Sequence, residues 1–458
     1  MAGHDLAVEL SETAKLALPM VLTHLGQVAM MTTDLAFIGR ISAEALAAAA
    51  LATRVYLVSF TFGVGLLVAI APLVAQAFGA DNLAVARRSL RAGLWAALML
   101  SFPIMAFALS GERILLALGQ APNAARLAQQ YLFGLVWGVL PALGFQAFRN
   151  FMGAVNRPEP VLLITIAGMP VNALLVCLLI YGKLGLPRLD LFGAGLATTL
   201  VNCGMFLAVL WFAIVHRSFR EYHLLARLWR VDWPLMRQLI VIGAPTAIAS
   251  LLGYGLFSAA ALLAGLIDTN ALAAHQIAHQ VDVILVMILF GISMAATVRV
   301  GHAVGRNDGR GVKRTGLVAM LIGVAIAAIL TLIVIVARFA VARLFLGEPT
   351  GDAKTTTALA AKLLLVGSSF FVTQAVQSIG EGVLRGMKDT RVPLVCSGVF
   401  CLIGFSLSYL LGLKLGLGAI GIWIGLSIGT TVYAGLLVMR FQLLANRLTR
   451  AQATRTTP

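Results

Sequence analysis

Long apolar runs dominate the pattern of hydrophobic and polar positions along this chain of 458 residues. Twelve runs reach the roughly 20 residues that a membrane-spanning helix needs, without the alternation typical of a barrel strand. The sequence therefore predicts an all-α integral membrane protein with twelve transmembrane helices. The predicted spans are 14–38, 46–77, 91–110, 128–153, 159–182, 192–215, 238–264, 270–303, 315–340, 357–386, 392–413 and 418–442.

The two halves of the chain repeat each other at a shift of 226 residues. Pro19 falls on Pro245 and Gly65 on Gly291. Each repeat holds six spans, and an even number returns the chain to the same side, so the repeat is parallel. Two homologous six-helix bundles are the design of an alternating-access transporter. The predicted parts are an N-terminal bundle (1–215), a basic cytoplasmic linker (216–237), a C-terminal bundle (238–445) and a cytoplasmic tail (446–458).

Composition and charge agree with this reading. Hydrophobic residues make up 60% of the chain and charged residues 11%, whereas a soluble domain carries about 25% charged residues. The net charge of +16 lies in the loops, so it indicates topology rather than nucleic-acid binding. Lys and Arg favour the side of the N-terminus by 23 to ten, which predicts that both termini are cytoplasmic.

One acidic residue stands out inside the first predicted span. Asp34 aligns with Ala260 in the repeat, and the only basic residue near its face is Arg40, at the helix boundary. A charge inside the membrane costs roughly 2.5–3.5 kcal/mol and usually faces a cavity. Asp34 is either a solvated carboxylate at a helix end or a carboxylate that binds a proton or a sodium ion, and we favour the second interpretation.

Polar residues on the fifth and sixth spans bear on that choice. They are Asn172, Thr198, Thr199 and Asn202. Such side chains often only bridge membrane helices. They join a cation site only if the fold brings them to Asp34, which sequence alone does not determine. The candidate cation site consists of Asp34, Asn172 and Thr198.

A second polar group lies on the eighth span, where His275, His279 and Asp282 share one helix face. Three ligands on one helix without an obvious fourth argue against a metal site. The stripe either lines a substrate cleft or packs one helix against another, and both interpretations stay open. With Gln276 and Gln374 it forms the candidate substrate cleft.

The remaining features narrow the class of protein. Glu381 precedes Arg385 by four residues, which favours an i, i+4 ion pair. The sequence contains no Walker A loop, GxSxG or HExxH motif, so neither ATP coupling nor an enzyme is expected. No cofactor or metal is expected.

Several segments together resemble the multidrug and toxic compound extrusion (MATE) family, in its NorM-like branch. They are GISMAATVRVG at 291–301, AAHQIA at 273–278, VLRGMKDT at 383–390 and Thr33-Asp34 in the first span. The resemblance implies a twelve-helix antiporter whose two lobes form a V-shaped cleft. It implies export of cationic amphipathic compounds in exchange for sodium ions or protons.

The resemblance is partial in the C-terminal half. Asp34 matches the acid that the family carries on its first helix, and Asn172 resembles the polar fifth-helix position beside it. Where NorM-like members often carry a glutamate on helix seven, this chain has Gly253, and where they carry an aspartate on helix ten it has Gln374. Either Asp34 carries coupling alone, or Asp282 and Glu381 replace the missing acids. We favour Asp34 alone.

The expected function is cation-coupled export of drugs, toxins or metabolites across the bacterial inner membrane by a monomer. The expected partners are small cationic amphipathic substrates and membrane lipids, without nucleic acid. The alternative is a flippase or exporter of lipid-linked or polysaccharide substrates with the same superfold. That alternative needs a basic cavity, and the intramembrane charges here are acidic apart from Arg54.

Overall fold

The fold is built from helices alone. The computed structural model describes residues 2–347 and 351–456. The structure is 88% helical, and its described residues form no strand. Among the described residues, eleven helices are long and apolar enough to cross a membrane, and one bent pair makes a twelfth span if the pair is counted as one. The predicted all-α membrane fold is confirmed.

The helices of the first half follow the predicted spans closely, with two breaks. The second span is interrupted at Val68–Ala69, and the fourth bends by 52° between its two helices. The helices are α1 (Ala2–Gly39), α2 (Ala43–Leu67), α3 (Ile70–Gly79), α4 (Leu83–Leu109), α5 (Gly111–Ala117), α6 (Pro122–Val136), α7 (Val139–Ala154), α8 (Glu159–Tyr181), α9 (Asp190–Val215) and α10 (Arg217–Arg220).

The second half has longer helices. A π-helical turn, Leu410–Lys414, follows α16, and α17 continues through most of the predicted tail, whose last two residues lie outside the described residues. The helices are α11 (Trp233–Ile267), α12 (Thr269–Gly305), α13 (Gly309–Val336), α14 (Arg338–Leu346), α15 (Asp352–Gly386), α16 (Arg391–Tyr409) and α17 (Ala419–Thr456).

The repeat is visible in how helices begin. Ser42 and Asp268, which are 226 residues apart, each accept a hydrogen bond from the backbone N–H three residues on, at 3.0 and 2.6 Å. Asn82 and Asp308 do the same at 3.2 and 2.9 Å. Short polar side chains at these positions satisfy N–H groups that a helix start leaves without partners. The same capping chemistry therefore starts equivalent helices in both halves.

Contacts divide the chain within helices α1 and α11. Residues Leu22–Ala247 form one compact unit, here the N-terminal unit, and Ile248–Pro458 with Met1–Val21 form the other, here the C-terminal unit. Both divisions fall two residues after a proline inside the helix, Pro19 and Pro245. Proline removes a helical hydrogen bond and bends the helix. The assignment of whole bundles to 1–215 and 238–445 stays a prediction.

In each unit one glycine lies directly against the helix backbone two residues after the proline. A β-carbon on Gly65 would lie 2.6 Å from Cα of Ala247, within the N-terminal unit. A β-carbon on Gly291, the repeat counterpart of Gly65, would lie 2.7 Å from Cα of Val21, within the C-terminal unit. Only glycine permits backbones to approach this closely, so the repeat preserves a packing contact as well as a helix pattern.

Ion pairs hold the parts of the chain that precede these two prolines. In the C-terminal unit, Glu9 pairs with Arg299 at 2.6 Å and with Arg314 at 3.5 Å. In the N-terminal unit, Arg88, which is the repeat counterpart of Arg314, pairs with Asp232 at 2.5 Å. Burial raises the pKa of the Asp232 carboxyl, but hydrogen bonds from Arg88 and a backbone N–H outweigh it and leave that pKa below its ordinary value.

Candidate functional site

Asp34 is the centre of a three-helix polar site in the N-terminal unit. The side chain is 4% exposed. Asn172 Nδ2, from α8, donates to Asp34 Oδ1 at 2.7 Å. Thr198 Oγ1, from α9, donates to Oδ2 at 2.9 Å. The structure therefore brings together all three residues of the candidate cation site, and each carboxylate oxygen accepts one hydrogen bond.

Neighbouring contacts hold these helices in place. The Tyr181 hydroxyl at the end of α8 donates to the backbone carbonyl of Phe37 in α1 at 3.0 Å, and the two rings meet edge to face. Thr199, next to Thr198 on α9, turns instead to the backbone carbonyl of Gly134 in α6 at 2.6 Å. Consecutive residues of one helix face different directions, so Thr198 serves the site while Thr199 packs α9 on α6.

No positive side chain of the partner helices compensates the Asp34 charge. Residues 160–181 and 191–215, which supply both hydrogen-bond donors, contain no Lys or Arg. A buried carboxylate without a protein cation is neutralised by a proton or by a bound cation, because an isolated buried charge is too costly. The arrangement is chemically suited to bind one small cation and release it.

A cavity of about 230 Å³ opens on the same helix, at the level of this site. Thr32, Thr33, Ala36, Phe37 and Arg40 line it. Thr33 directly precedes Asp34 in the chain, and Arg40 lies at the helix end as the sequence predicts. Asp34 itself does not line the cavity, so the cavity lies beside the carboxylate site and is not part of it.

Four of the five candidate cleft residues lie together inside the C-terminal unit, and one is exposed. His275, Asp282 and Gln374 are buried, at 1%, 2% and 8% exposure, and His279 is half-buried. Gln374 from α15 hydrogen-bonds to Asp282, and His279 Nδ1 lies 3.9 Å from Asp282 Oδ2. Gln276 is exposed and does not join them. The structure thus gathers four of the five residues into one buried cluster.

Aromatic residues that the sequence did not single out complete this cluster. Trp423, fully buried on α17, donates from Nε1 to His275 Nδ1 at 3.1 Å. Phe257 on α11 stacks against His279 with ring centroids 4.8 Å apart. A lone Trp or Phe inside an apolar span carries no signal beyond hydrophobicity, so only the packing reveals these partners.

Glu381 and Arg385 do not form the favoured close ion pair, although their charges interact. Within residues 2–347 and 351–456, no ion pair joins the two side chains. Glu381 Oε1 instead accepts a hydrogen bond from the Tyr433 hydroxyl at 2.5 Å, and Arg385 Nη1 contacts the Met294 sulfur at 3.6 Å. Tyr433, from α17, competes successfully because burial favours a short directional donor next to the carboxylate.

The chain matches the MatE family model at residues 19–178 and 245–410. The two matched segments begin at Pro19 and Pro245, the pair related by the internal repeat. Both candidate groups, Asp34 with Asn172 and His275 with Asp282 and Gln374, lie inside matched segments.

Close relatives share nearly the whole length. A protein of Bradyrhizobium diazoefficiens named "Probable multidrug resistance protein NorM" is 59% identical over 97% of this chain and 96% of its own. A protein of the same name from Rhodopseudomonas palustris is 50% identical over 96% of this chain and 92% of its own.

Solved structures share the fold at low identity. The crystal structure of the eukaryotic MATE transporter AtDTX14 superposes with a TM-score of 0.85 at 20% identity, covering 97% of this chain and 99% of the other. The outward-facing structure of a multidrug resistance MATE family transporter gives 0.86 at 20% identity, covering 96% and 97%.

Proposed function

The chain belongs to the MatE family, and we propose that it is a cation-coupled antiporter that exports cationic amphipathic drugs, toxins or metabolites. Members of the family are transporters rather than enzymes. The coupling ion in this proposal is sodium or a proton. The relatives' printed names support drug export, and the observation that carries the coupling is the convergence of Asn172 and Thr198 on Asp34.

The proposed cycle uses Asp34 as the exchange point. When a cation binds, it neutralises the carboxylate and takes over part of its hydrogen bonding. When the cation leaves, the bare carboxylate favours a conformation that solvates it. A ligand shifts a conformational equilibrium only through differential affinity for the two states, and a buried carboxylate provides a large difference. Export follows if the drug binds best to the cation-free state.

We also propose that the protein lies in the bacterial inner membrane with both termini cytoplasmic, and that it works as a monomer. The asymmetry of Lys and Arg between the two sides supports the orientation. The relatives named above come from bacteria, which supports the location.

The test is export of a fluorescent monovalent cation from proteoliposomes of the purified protein. A sodium gradient at equal pH and a pH gradient without sodium are imposed in separate experiments. Export driven by one gradient identifies the coupling ion. Export driven by neither gradient contradicts the proposal. Export of a lipid-linked or anionic sugar substrate, without export of the cation, would favour the flippase alternative.

A further inference from the structure

The loop that follows α10, residues 221–232, is held against the N-terminal half of α4. Arg91 Nη2 donates to the backbone carbonyl of Ala226 at 2.9 Å, and Trp95 Nε1 donates to that of Leu228 at 2.7 Å. Both donors belong to one helix, and both carbonyls lie in the middle of the loop. The backbone of this segment, here called the linker loop, is therefore fixed although it is not helical.

These contacts set the depth of the linker loop relative to a bilayer. Trp95 lies four residues inside the predicted span 91–110, and Trp233, directly after the loop, lies five residues before the predicted span 238–264. At about 1.5 Å per helical residue, the two positions are about 6 Å inside and about 7.5 Å outside the apolar layer. The headgroup layer on each side of a bilayer is about 5–7 Å thick. The linker loop therefore lies at the level of the lipid headgroups.

Aromatic and basic side chains of this segment are left uncovered by the protein. Trp229 is 74% exposed and Trp233 is 64% exposed. Arg227 and Arg230, which lie on either side of Trp229 in the chain, are also exposed. Tryptophan concentrates at membrane–water interfaces, because its apolar ring and its polar N–H both find suitable surroundings there. The exposed side chains therefore have the chemistry of a surface that contacts lipid.

Arginine is in large excess around the linker loop. Residues 83–95 and 216–237 together contain eight arginines, no lysine and two acidic residues, Glu221 and Asp232. Asp232 is already paired with Arg88. Within these two ranges, most of the positive charge therefore has no acidic counterpart in the protein.

The arginines on α4 and on the linker loop are close enough to act on one another. The charges of Arg87, Arg88 and Arg227 all interact with that of Arg91. A guanidinium group presents its N–H donors as a fork that matches a phosphate group. A soluble phosphate would satisfy only these arginines, whereas an anionic phospholipid also offers acyl chains to the neighbouring tryptophans. The combination of both residue types favours a lipid as the ligand.

We propose that the linker loop is a binding surface for the headgroups of anionic phospholipids. Arg227 and Arg230 contact the phosphate, and Trp229 and Trp233 lie at the boundary between headgroups and acyl chains. The proposal rests on the membrane location proposed above and not on transport activity. The segment that follows the last span of the second repeat, 443–458, contains three arginines but no aromatic residue, so it serves as the matched control.

The first test measures tryptophan fluorescence of the full-length protein in phosphatidylcholine vesicles that contain a brominated lipid, which quenches nearby indoles. The signal of Trp229 is the difference between the wild type and Trp229→Phe. Brominated phosphatidylglycerol should quench this signal at about a fivefold lower mole fraction than brominated phosphatidylcholine, the factor that one arginine at an anionic surface contributes. Arg227→Gln/Arg230→Gln should lose the preference. Arg447→Gln/Arg450→Gln, which removes the same charge from the control segment, should keep it.

Equal quenching by the two lipids in the wild type overturns the proposal. A full preference in Arg227→Gln/Arg230→Gln, or an equal loss in the control variant, also overturns it. Inorganic phosphate, added at constant ionic strength, should leave the preference unchanged. If it abolishes the preference, the arginines bind a soluble anion and the lipid proposal is wrong. These outcomes do not depend on drug export, so failure of the proposed transport function would be recognised separately.

The second test uses trypsin, which cleaves after exposed arginines, on the detergent-solubilised wild type. Phosphatidylglycerol added to the micelles should slow cleavage after Arg227 and Arg230 about fivefold, and phosphatidylcholine should not. Cleavage after Arg447 and Arg450 in the same sample is the internal control and should be slowed less. Equal slowing at both segments, or equal slowing by both lipids, overturns the proposal.

Discussion

Each unit of this protein buries one carboxylate among apolar helices, but the two carboxylates are satisfied differently. In the N-terminal unit both oxygens of Asp34 accept a hydrogen bond from another helix. In the C-terminal unit Asp282 is bonded by Gln374 and keeps Oδ1 without a partner. In the part of the chain that the structure describes, neither carboxylate is paired with Lys or Arg. The difference shows that two repeats can share the same helices and still bury different polar residues with different hydrogen-bond partners.

The two acids also stand on helices that are not equivalent. Asp34 lies on the first helix of its repeat and corresponds to Ala260, which is buried in the C-terminal unit. Asp282 lies on the second helix of its repeat and corresponds to Tyr56. The two copies therefore share their helix caps and glycine contacts. They differ in the position of the buried carboxylate.

The largest expected effect comes from removing the satisfied carboxylate. Asp34→Asn should reduce gradient-driven export to background, because the charge that distinguishes cation-bound from empty states is gone. The measurement is export by proteoliposomes, with size-exclusion chromatography to verify folding. Asn is nearly isosteric, so the hydrogen-bonded frame is disturbed little. Wild-type export by a monodisperse Asp34→Asn protein would contradict a coupling role for Asp34.

Removing a donor to Asp34 should weaken the site without abolishing it. Asn172→Leu deletes a hydrogen bond to a charged group, a loss of about 1.5–3 kcal/mol, and should change the cation concentration for half-maximal export by about tenfold or more. Thr198→Val should have a smaller effect, since its hydroxyl also lies 3.2 Å from the Ala194 carbonyl. Thr199→Val, which leaves Asp34 untouched, is the control. Equal changes in Thr199→Val and Asn172→Leu would mean that helix packing, not the site, is responsible.

The aromatic partner in the C-terminal unit offers a test of stability. Trp423→Phe removes the donor to His275 and leaves a buried nitrogen without a partner, at a cost of about 1–3 kcal/mol. The thermal unfolding midpoint of the detergent-solubilised protein should fall. Trp229→Phe, at a tryptophan that is 74% exposed, should leave it unchanged. Equal midpoints for both variants would show that the Trp423–His275 bond contributes nothing.

The smallest effect concerns Asp232, a carboxylate outside the membrane that does have a cationic partner. Its folded-state pKa is lowered, so its contribution to stability is complete above the ordinary carboxyl pKa of about 3.9 and is lost as the pH falls toward the folded value. Because Arg88 is 42% exposed, the contribution should not exceed about 1 kcal/mol.

The measurement for Asp232 compares unfolding midpoints of the wild type and Arg88→Gln between pH 7 and pH 3. The difference between the two proteins should be present at pH 7 and should shrink as the pH falls. A difference that grows on acidification would contradict the ion pair as its source.

Much of this protein was determined by the sequence alone. Apolar run length fixed the number of spans, because a bilayer sets the length that a helix must cover. The repeat, from Pro19 and Pro245 to the caps at Ser42 and Asp268, was readable because equivalent turns need equivalent residue types. Asp34 was identifiable because a carboxylate in an apolar helix is costly enough to require a reason.

Only the tertiary structure decided which polar residues meet. Thr198 and Thr199 are indistinguishable in sequence, yet one helix rotation of about 100° sends the first to Asp34 and the second to the Gly134 carbonyl. Glu381 likewise accepts a hydrogen bond from Tyr433 on another helix, a partner that the sequence of its own helix does not indicate. The oxygen atoms of Asp282 and Gln374 that lack hydrogen-bond partners became visible only once α12 and α15 were packed. Hydrogen bonding depends on distance and direction between helices, and that information is not written along either helix alone.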